Sequence, residues 1–377
     1  IIGTGMAGIT LARKVCKLDS EITMHLITGD DGSVYSKPML SNAMAQGKTA
    51  DALVQTSAEQ FGADVNATIW VHTRVTAINR TDKAVIVDGP NGRDVIGYGN
   101  LILAVGANTR RYTVEGHDTA VFAAVNNLDD YTHWREGLED GGRVLIVGAG
   151  LIGMEFANDL AVAGYRVDVV DPAAKPLSRL LPDELGHVMQ EALQDIGVRF
   201  HMGTVVSGVE GTVAHLSDGT KVAFNHALAA IGLRANTTLA QASGLSVEQG
   251  IVVDAQLHTS DPDIYALGDC AQTAAGVLPF ILPLMAQARA LAQTLTGTPT
   301  RLHLPALPVA VKTPALPAVV CPPHPKAEGN WHVEGTRANL RAVFVGPEGQ
   351  SLGFALTGSQ TKARQALARE MPHLLAA

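Results

Sequence analysis

The first eight residues, Ile1-Ile2-Gly3-Thr4-Gly5-Met6-Ala7-Gly8, constrain the fold more than any other stretch of the chain. Two β-branched residues run into three glycines at G-x-G-x-x-G spacing, and a helical pattern begins at once. This is how a dinucleotide pyrophosphate is held. Gly3 permits the sharp strand-to-helix turn, Gly5 lets backbone approach the phosphates with no Cβ in the way, and Gly8 lets the helix pack close to the strand. The helix N-terminus then offers unpaired N–H groups and a partial positive charge to the anion. A single copy is a weak signal, because glycine-rich turns often do nothing but turn. Here the motif recurs as Gly148-Ala149-Gly150-Leu151-Ile152-Gly153. Two copies in one chain imply two dinucleotides held face to face.

The order of elements after each copy is repeated too. After the first, Met6 to Leu18 reads as a helix, Glu21 to Thr28 as a strand, and Asp30 (with Asp31 beside it) as the acid that meets a ribose diol or serves a turn. Arg74–Asn79 and Ala84–Asp88 read as a hairpin, and Asn100 to Val105 as a buried strand closing on Gly106-Ala107. After the second come a helix through Ala163, a strand from Tyr165 to the acid Asp171, and a helix from Asp183 to Ile196. A hairpin turn at Ser217–Thr220 and a buried strand, Ala227 to Ile231, closing on Gly232 complete the unit. This is an internal repeat too long for a solenoid, and it predicts two nucleotide-binding units. Beyond them the pattern gives a strand at Ile251–Asp254, another in Asp263–Asp269, a helix from Ile281 to Leu295 entered through Pro283, and a proline-dense stretch from Pro305 to Pro325. A β-rich tail from Trp331 to Thr357 and a closing helix, Ser359 to Glu370, end the chain.

At 377 residues the chain is too long for one ordinary domain. A net charge of −8 argues against nucleic-acid binding, which needs a basic face. No uncharged apolar run is long enough for a membrane span, and no signal peptide is visible. Ile1 stands inside the expected first strand, so a few residues are expected before it. Cys16, Cys270 and Cys321 lie far apart, with no C-x-x-C and no zinc-like spacing, and the histidines form no metal constellation. Metal sites are therefore not expected, the cysteines read as reduced packing residues, and a cytoplasmic location is expected.

One further stretch, Tyr35-Ser36-Lys37-Pro38-Met39-Leu40-Ser41, reads by composition as a loop entering a helix, with Lys37 a solvated lysine unless a cofactor reaches it. Taken with the two glycine motifs, Glu155, Ala-Ile-Gly-Leu-Arg-Ala-Asn ending at Asn236, and Ile264-Tyr265-Ala266-Leu267-Gly268-Asp269, it resembles the pyridine nucleotide–disulfide oxidoreductase superfamily over essentially the whole chain. Within that superfamily the chain is similar to the thiol-free branch and to its rubredoxin–NAD reductases. Ferredoxin reductases of oxygenases and apoptosis-inducing factor share the branch and usually carry Arg where Lys37 stands.

The resemblance implies an α/β fold with two Rossmann-like domains, for FAD and NAD, and a small β-rich α+β C-terminal domain. The FAD-binding domain is expected at 1–108 and 248–313, the NAD-binding domain at 109–247, and an acceptor-docking domain at 314–377. It implies that Gly3, Thr4, Gly5, Met6, Ala7 and Gly8 line the FAD pyrophosphate, and that Thr28, Gly29, Asp30 and the Val75 backbone meet its adenosine end. Gly106, Gly268, Asp269, Ile281 and Lys312 would lie toward the ribityl chain and ring. Gly148, Gly150, Leu151, Ile152 and Gly153 would hold NADH, with Asp171 on its ribose and Gly232 near the nicotinamide. A carboxylate at 171 repels a 2′-phosphate, which favours NADH over NADPH. Lys37 is expected by flavin N5 with Glu155 held against it as a catalytic pair.

The implied activity is an FAD-dependent NADH:rubredoxin reductase of the EC 1.18.1 type. Hydride would pass from NADH to flavin N5, and electrons then leave singly to a small iron carrier, rubredoxin or a ferredoxin. No pair of cysteines stands in the first helix or in Tyr35–Met44, so no disulfide relay is expected. The alternatives are a ferredoxin reductase component of an oxygenase and, in another class, a flavin-bearing protein whose redox state controls association. Trp331 and Phe344 read as core residues or as docking residues.

Overall fold

Ile2 is the centre of the first sheet. Its backbone pairs in parallel with Leu103 on one side and Ile27 on the other. Ala67–Trp70 lies beyond Met24–Ile27, and Ile264–Ala266 beyond Leu101–Leu103, again in parallel. The second sheet has the same plan: Arg199–Met202, Arg166–Asp171, Arg143–Val147, His226–Ala229 and Phe122–Ala123, neighbours in that order and all parallel. In each half the glycine motif leaves the central strand and runs into a helix, Met6–Leu18 in the first and Leu151–Val162 in the second. The computed structural model describes residues 1–114 and 121–375; residues 115–120, inside the expected NAD-binding unit, and 376–377, at the chain's end, lie outside the described residues.

The two halves differ in where the last strand comes from. Phe122–Ala123 precedes the rest of its sheet in sequence, whereas Ile264–Ala266 completes the first sheet after the chain has passed through the second. Each half also carries an antiparallel three-stranded meander, Arg74–Asn79, Ala84–Gly89 and Gly92–Gly97 in one, and Val206–Glu210, Val213–Leu216 and Lys221–Ala223 in the other. The sequence announces only a hairpin in each. Gly92–Gly97 is exposed along nearly its whole length and so carries no apolar alternation to read.

The helix Met6–Leu18 begins and ends where the pattern places it, because extended Gly5 starts it and extended Asp19 stops it. Two helices carry no apolar period strong enough to read and are set by capping. Ser57 accepts from the Gln60 amide ahead of Ala58–Asp64, and Asn127 accepts from the Asp130 amide ahead of Leu128–Glu136. The expected closing helix divides into a 3₁₀ segment, Gly358–Ala363, and an α-helix, Arg364–Glu370.

The C-terminal sheet is antiparallel, with Val309–Val311, Ala318–Cys321, Ser351–Thr357, Asn339–Val345 and Asn330–Thr336 as neighbours in that order. The expected boundary at 313/314 therefore falls inside it: Val309–Val311 is its edge strand rather than part of the first unit. The proline-dense composition masks this strand in the sequence. One hydrophobic core fills the first sheet and its helices. A second is shared: Met154, Phe156, Leu185 and Met189 of the second unit pack with Val320, Ala342 and Ala355 of the C-terminal sheet and with Leu40 and Ala43 of the Lys37 segment. Among the described residues no helix is long and apolar enough to cross a membrane.

Candidate functional site

The two glycine motifs have matching surroundings. Gly3 has φ +110 and Gly148 φ +108; a Cβ on Gly3 would meet Ala104 O at 2.4 Å, and one on Gly148 would meet Ala230 O at 2.5 Å. A Cβ on Gly8 would lie 2.0 Å from Gly3 O, and one on Gly153 1.9 Å from Gly148 O. Both positions are closed by backbone. The middle glycines are the opposite case, since nothing lies within 4 Å of a Cβ built on Gly5 or Gly150. These two are also the N-caps of their helices, and neither helix has a side-chain cap. The first-turn amides after each glycine have no intrahelical acceptor. Each cradle fits a pyrophosphate held by backbone N–H groups, with Thr4, Met6 and Ala7 around the first and Leu151 and Ile152 around the second.

The acids that end the second strand of each unit do related work. Asp171 accepts from the Ala149 amide on one carboxylate oxygen and from the Ala173 amide on the other, both at 2.7 Å, so it braces the second glycine loop. Asp30 accepts from Thr28 Oγ1 at 2.5 Å and from the Gly32 amide at 3.0 Å, closing its own turn. The Thr73 and His72 amides reach back to Thr28 O and Asp30 O, and the Arg74 guanidinium lies 3.9 Å from where a Cβ on Gly29 would be.

The ends of the two units meet. Ala107–Thr109 pairs antiparallel with Leu233–Ala235. The Asn236 amide donates to Gly106 O and the Arg110 amide to Gly232 O, each at 3.0 Å. Gly106 and Gly232, the closing glycines of the two central sheets, thus lie on one ribbon, both at positive φ with open space where a Cβ would be. Gly268 is tied to the buried Gln287 carbonyl, and a Cβ on it would collide with Ala7. It leads into half-buried Asp269. Ile281 opens the helix Ile281–Leu295 and remains partly exposed together with Leu282.

Lys37 and Glu155 are not each other's partners, which corrects the expected pair. Lys37 Nζ donates to Asn126 Oδ1 at 2.7 Å. Glu155, 1% exposed and therefore no solvated helical acid, is taken by Lys312 and Ser41. Lys312 Nζ lies 2.7 Å from Glu155 Oε2, the Lys312 amide donates to Oε1 at 3.0 Å, and Ser41 Oγ donates to Oε2 at 2.7 Å. Lys312 Nζ also donates to Ser41 Oγ and to Pro38 O. The reason is positional. The Lys37 segment folds as a 3₁₀ turn, Lys37–Asn42, which directs Ser41 at the helix and leaves Lys37 on the side of Asn126.

Glu155 has two polar neighbours on its own helix that sequence reading passes over. Asn158 Oδ1 accepts from the Ala315 amide, and Asp159 accepts from the Met44 and Ala45 amides at 2.9 Å each. The signal is present in the sequence: three polar residues at i, i+3 and i+4 on a helix otherwise apolar all round. Burial pushes the Asp159 carboxyl above its ordinary range, and the two amides oppose that shift. Lys37 is pulled down by burial, while Asp269 and Asp130 push it back up. Asp269 is itself pushed up by burial and drawn down by Lys37.

Cys270 is fully buried, with its thiol pushed up to about 11 by burial. Cys321 is buried with its thiol likewise pushed up to about 11, and Cys16 is half-buried on the first helix. Each of the three is free.

Two matching glycine cradles, on units joined through the Ala107–Thr109 and Leu233–Ala235 ribbon, define a two-dinucleotide fold. The chain matches the pyridine nucleotide-disulphide oxidoreductase family over residues 1–293 and the rubredoxin binding C-terminal domain over 301–371. It is 41% identical to the rubredoxin-NAD(+) reductase of Alcanivorax borkumensis, covering 100% of this chain and 98% of that one. It is 39% identical to the enzyme of the same name in Acinetobacter baylyi, covering 100% and 98%. Among solved structures, putidaredoxin reductase in its covalent complex with putidaredoxin superposes with a TM-score of 0.88 at 26% identity, covering 98% of this chain and 93% of that one. The chain belongs to the pyridine nucleotide-disulphide oxidoreductase family, whose members use FAD and NAD(H).

Proposed function

We propose that this protein is an FAD-dependent NADH:rubredoxin reductase. The observation that carries the reading is the pair of uncapped, unobstructed glycine cradles at Gly5 and Gly150 on units whose closing glycines, Gly106 and Gly232, share one ribbon. The rubredoxin-binding C-terminal match supplies the acceptor. FAD, when bound, accepts a hydride from NADH and releases electrons singly to a one-electron carrier.

The chain's own residues supply position and charge. The backbone of Thr4 to Gly8 holds the FAD pyrophosphate, and Thr28, Gly29, Asp30 and Val75 meet its adenosine end. Asp269 and the start of the Ile281–Leu295 helix flank the ring side, where the helix N-terminus favours electron-rich flavin. Gly148 to Gly153 hold NADH, with Asp171 toward its ribose, where a carboxylate disfavours a 2′-phosphate. Lys37 contributes a cation beside the ring. Glu155 acts on Lys312, fixing the acceptor-binding sheet against the NADH helix. In this division, residues before about 108 and the stretch from 248 to the start of the C-terminal sheet form the FAD-binding unit, 109–247 the NADH-binding unit, and the sheet from Val309 onward the acceptor-binding unit.

The test is acceptor choice. FAD-loaded protein is reduced with NADH and offered purified rubredoxins and ferredoxins at two salt concentrations. Preferential turnover with rubredoxin supports the reading, and turnover only with a ferredoxin assigns the chain to an oxygenase-type system. An NADH-reduced flavin that persists with every carrier refutes the reductase function.

A further inference from the structure

We propose that Asn126 is the positioning residue for Lys37: its side-chain amide, fixed between the two nucleotide-binding units, holds the lysine ammonium at the ring site through a neutral acceptor. The proposal rests on the function proposed above and adds to it a residue outside both glycine motifs.

The amide has one possible orientation. Lys37 Nζ can only donate, so the Asn126 atom 2.7 Å from it is the carbonyl oxygen. Asn126 Nδ2 then donates to Ala107 O at 2.9 Å, directly after Gly106 at the end of the first unit's central sheet. The Asn126 backbone amide donates to Asp130 Oδ2 at 2.9 Å, on the helix Leu128–Glu136. Two residues away on each chain segment the same stretches are joined again, since the Leu128 amide donates to Tyr35 Oη at 3.1 Å. The residues 35–37 are thus clasped to 126–128 at two points, and Asn126 is the point that touches the ammonium.

A neutral acceptor matters here. Asp269 and Asp130 both act on Lys37 from opposite elements. Without Asn126 the ammonium is free to relax onto either carboxylate, and its field at the ring site falls. An aspartate at 126 would hold the lysine in place while cancelling its charge, and would set a carboxylate against Ala107 O.

The experiment uses the full chain loaded with FAD, with Asn126→Ala, Lys37→Met and the double variant. Reduction of the flavin by NADH is followed by rapid mixing, and the flavin reduction potential is measured by equilibration with dyes. Asn126→Ala is expected to keep its FAD and its KM for NADH, to reduce about tenfold more slowly, as loss of one charge-assisted hydrogen bond predicts, and to have a more negative potential. The double variant is expected to match Lys37→Met, because the asparagine acts through the lysine. Asn126→Asp, which keeps the shape should the alanine fail to fold, is expected to lower the potential while retaining FAD. An unchanged potential in Asn126→Ala or Asn126→Asp, or effects of Asn126→Ala and Lys37→Met that simply add, would overturn the proposal. Failure of the underlying function looks different: the unsubstituted chain itself would take up no FAD or would not be reduced by NADH.

Discussion

Glycine positions that look equivalent in a motif have opposite physical roles. A Cβ on Gly8 meets backbone that cannot move aside, whereas a Cβ on Gly5 meets nothing until a ligand arrives. Gly8→Ala is therefore expected to destabilise the chain by about 3 kcal/mol, as overpacking against fixed atoms does. Gly5→Ala should leave the melting temperature of the FAD-free chain unchanged and weaken FAD binding. Thermal melts and FAD titration of the two variants check this, and equal melting temperatures would count against the assignment of roles. Asp269 gives a second residue-level prediction. Its carboxyl is raised by burial, so the FAD-free fold holds that proton more tightly than the unfolded chain does. Stability from that preference is full below the ordinary aspartate pKa and is lost as pH rises through the raised value. Asp269→Asn should then stabilise the FAD-free chain at neutral pH, with the gain shrinking as pH is lowered toward the ordinary aspartate range, as pH-dependent melts would record.

Among the elements, the helix Leu151–Val162 does more than end a phosphate loop. Its N-terminus faces one cradle, and its Glu155, Asn158 and Asp159 hold Lys312, Ala315 and the Met44–Ala45 turn. Two distant stretches of the chain, 41–45 and 312–315, are fastened to one helix face. Glu155→Gln keeps the shape but leaves partly buried Lys312 without a countercharge. A loss of about 1–3 kcal/mol is expected, visible in denaturant unfolding. Lys312→Met in the same background should add little, because the pair is already broken. Much of the element plan was legible: the glycine loops, the Met6–Leu18 and Ile281–Leu295 helices and the strand ending at Asp171 all carry period or capping signals in their own residues. The polar contacts were not. Lys37 is 89 residues from Asn126 and Lys312 is 157 from Glu155, and nothing local chooses between one carboxylate and another at such separations. Asn126 itself has no local mark, since the adjacent Asn127 is the residue with the capping role.

At the scale of the whole molecule, the repeated unit explains the route of the chain. Two copies of one sheet plan are joined by the ribbon that carries Gly106 and Gly232, and the shared core of the second unit and the C-terminal sheet seats that sheet against the helix Leu151–Val162. Trp331 and Phe344 stack edge to face at 5.4 Å in that sheet, with Phe344 buried and Trp331 packed against the shared core. Cys270 and Cys321 are buried thiols held well above neutral pKa, and Cys16 is half-buried on the first helix. The reductase proposed above uses no sulfur between donor and acceptor.

That claim has a direct test. The FAD-loaded chain is treated with a maleimide until the accessible thiols are consumed, mixed anaerobically with NADH, and then with oxidised rubredoxin, while the flavin absorbance is recorded. The account predicts rapid bleaching by NADH, recovery of the flavin absorbance as rubredoxin is reduced, and rates equal to those of untreated protein. Loss of either phase on thiol blocking, or a chain that takes up no flavin at all, would contradict it.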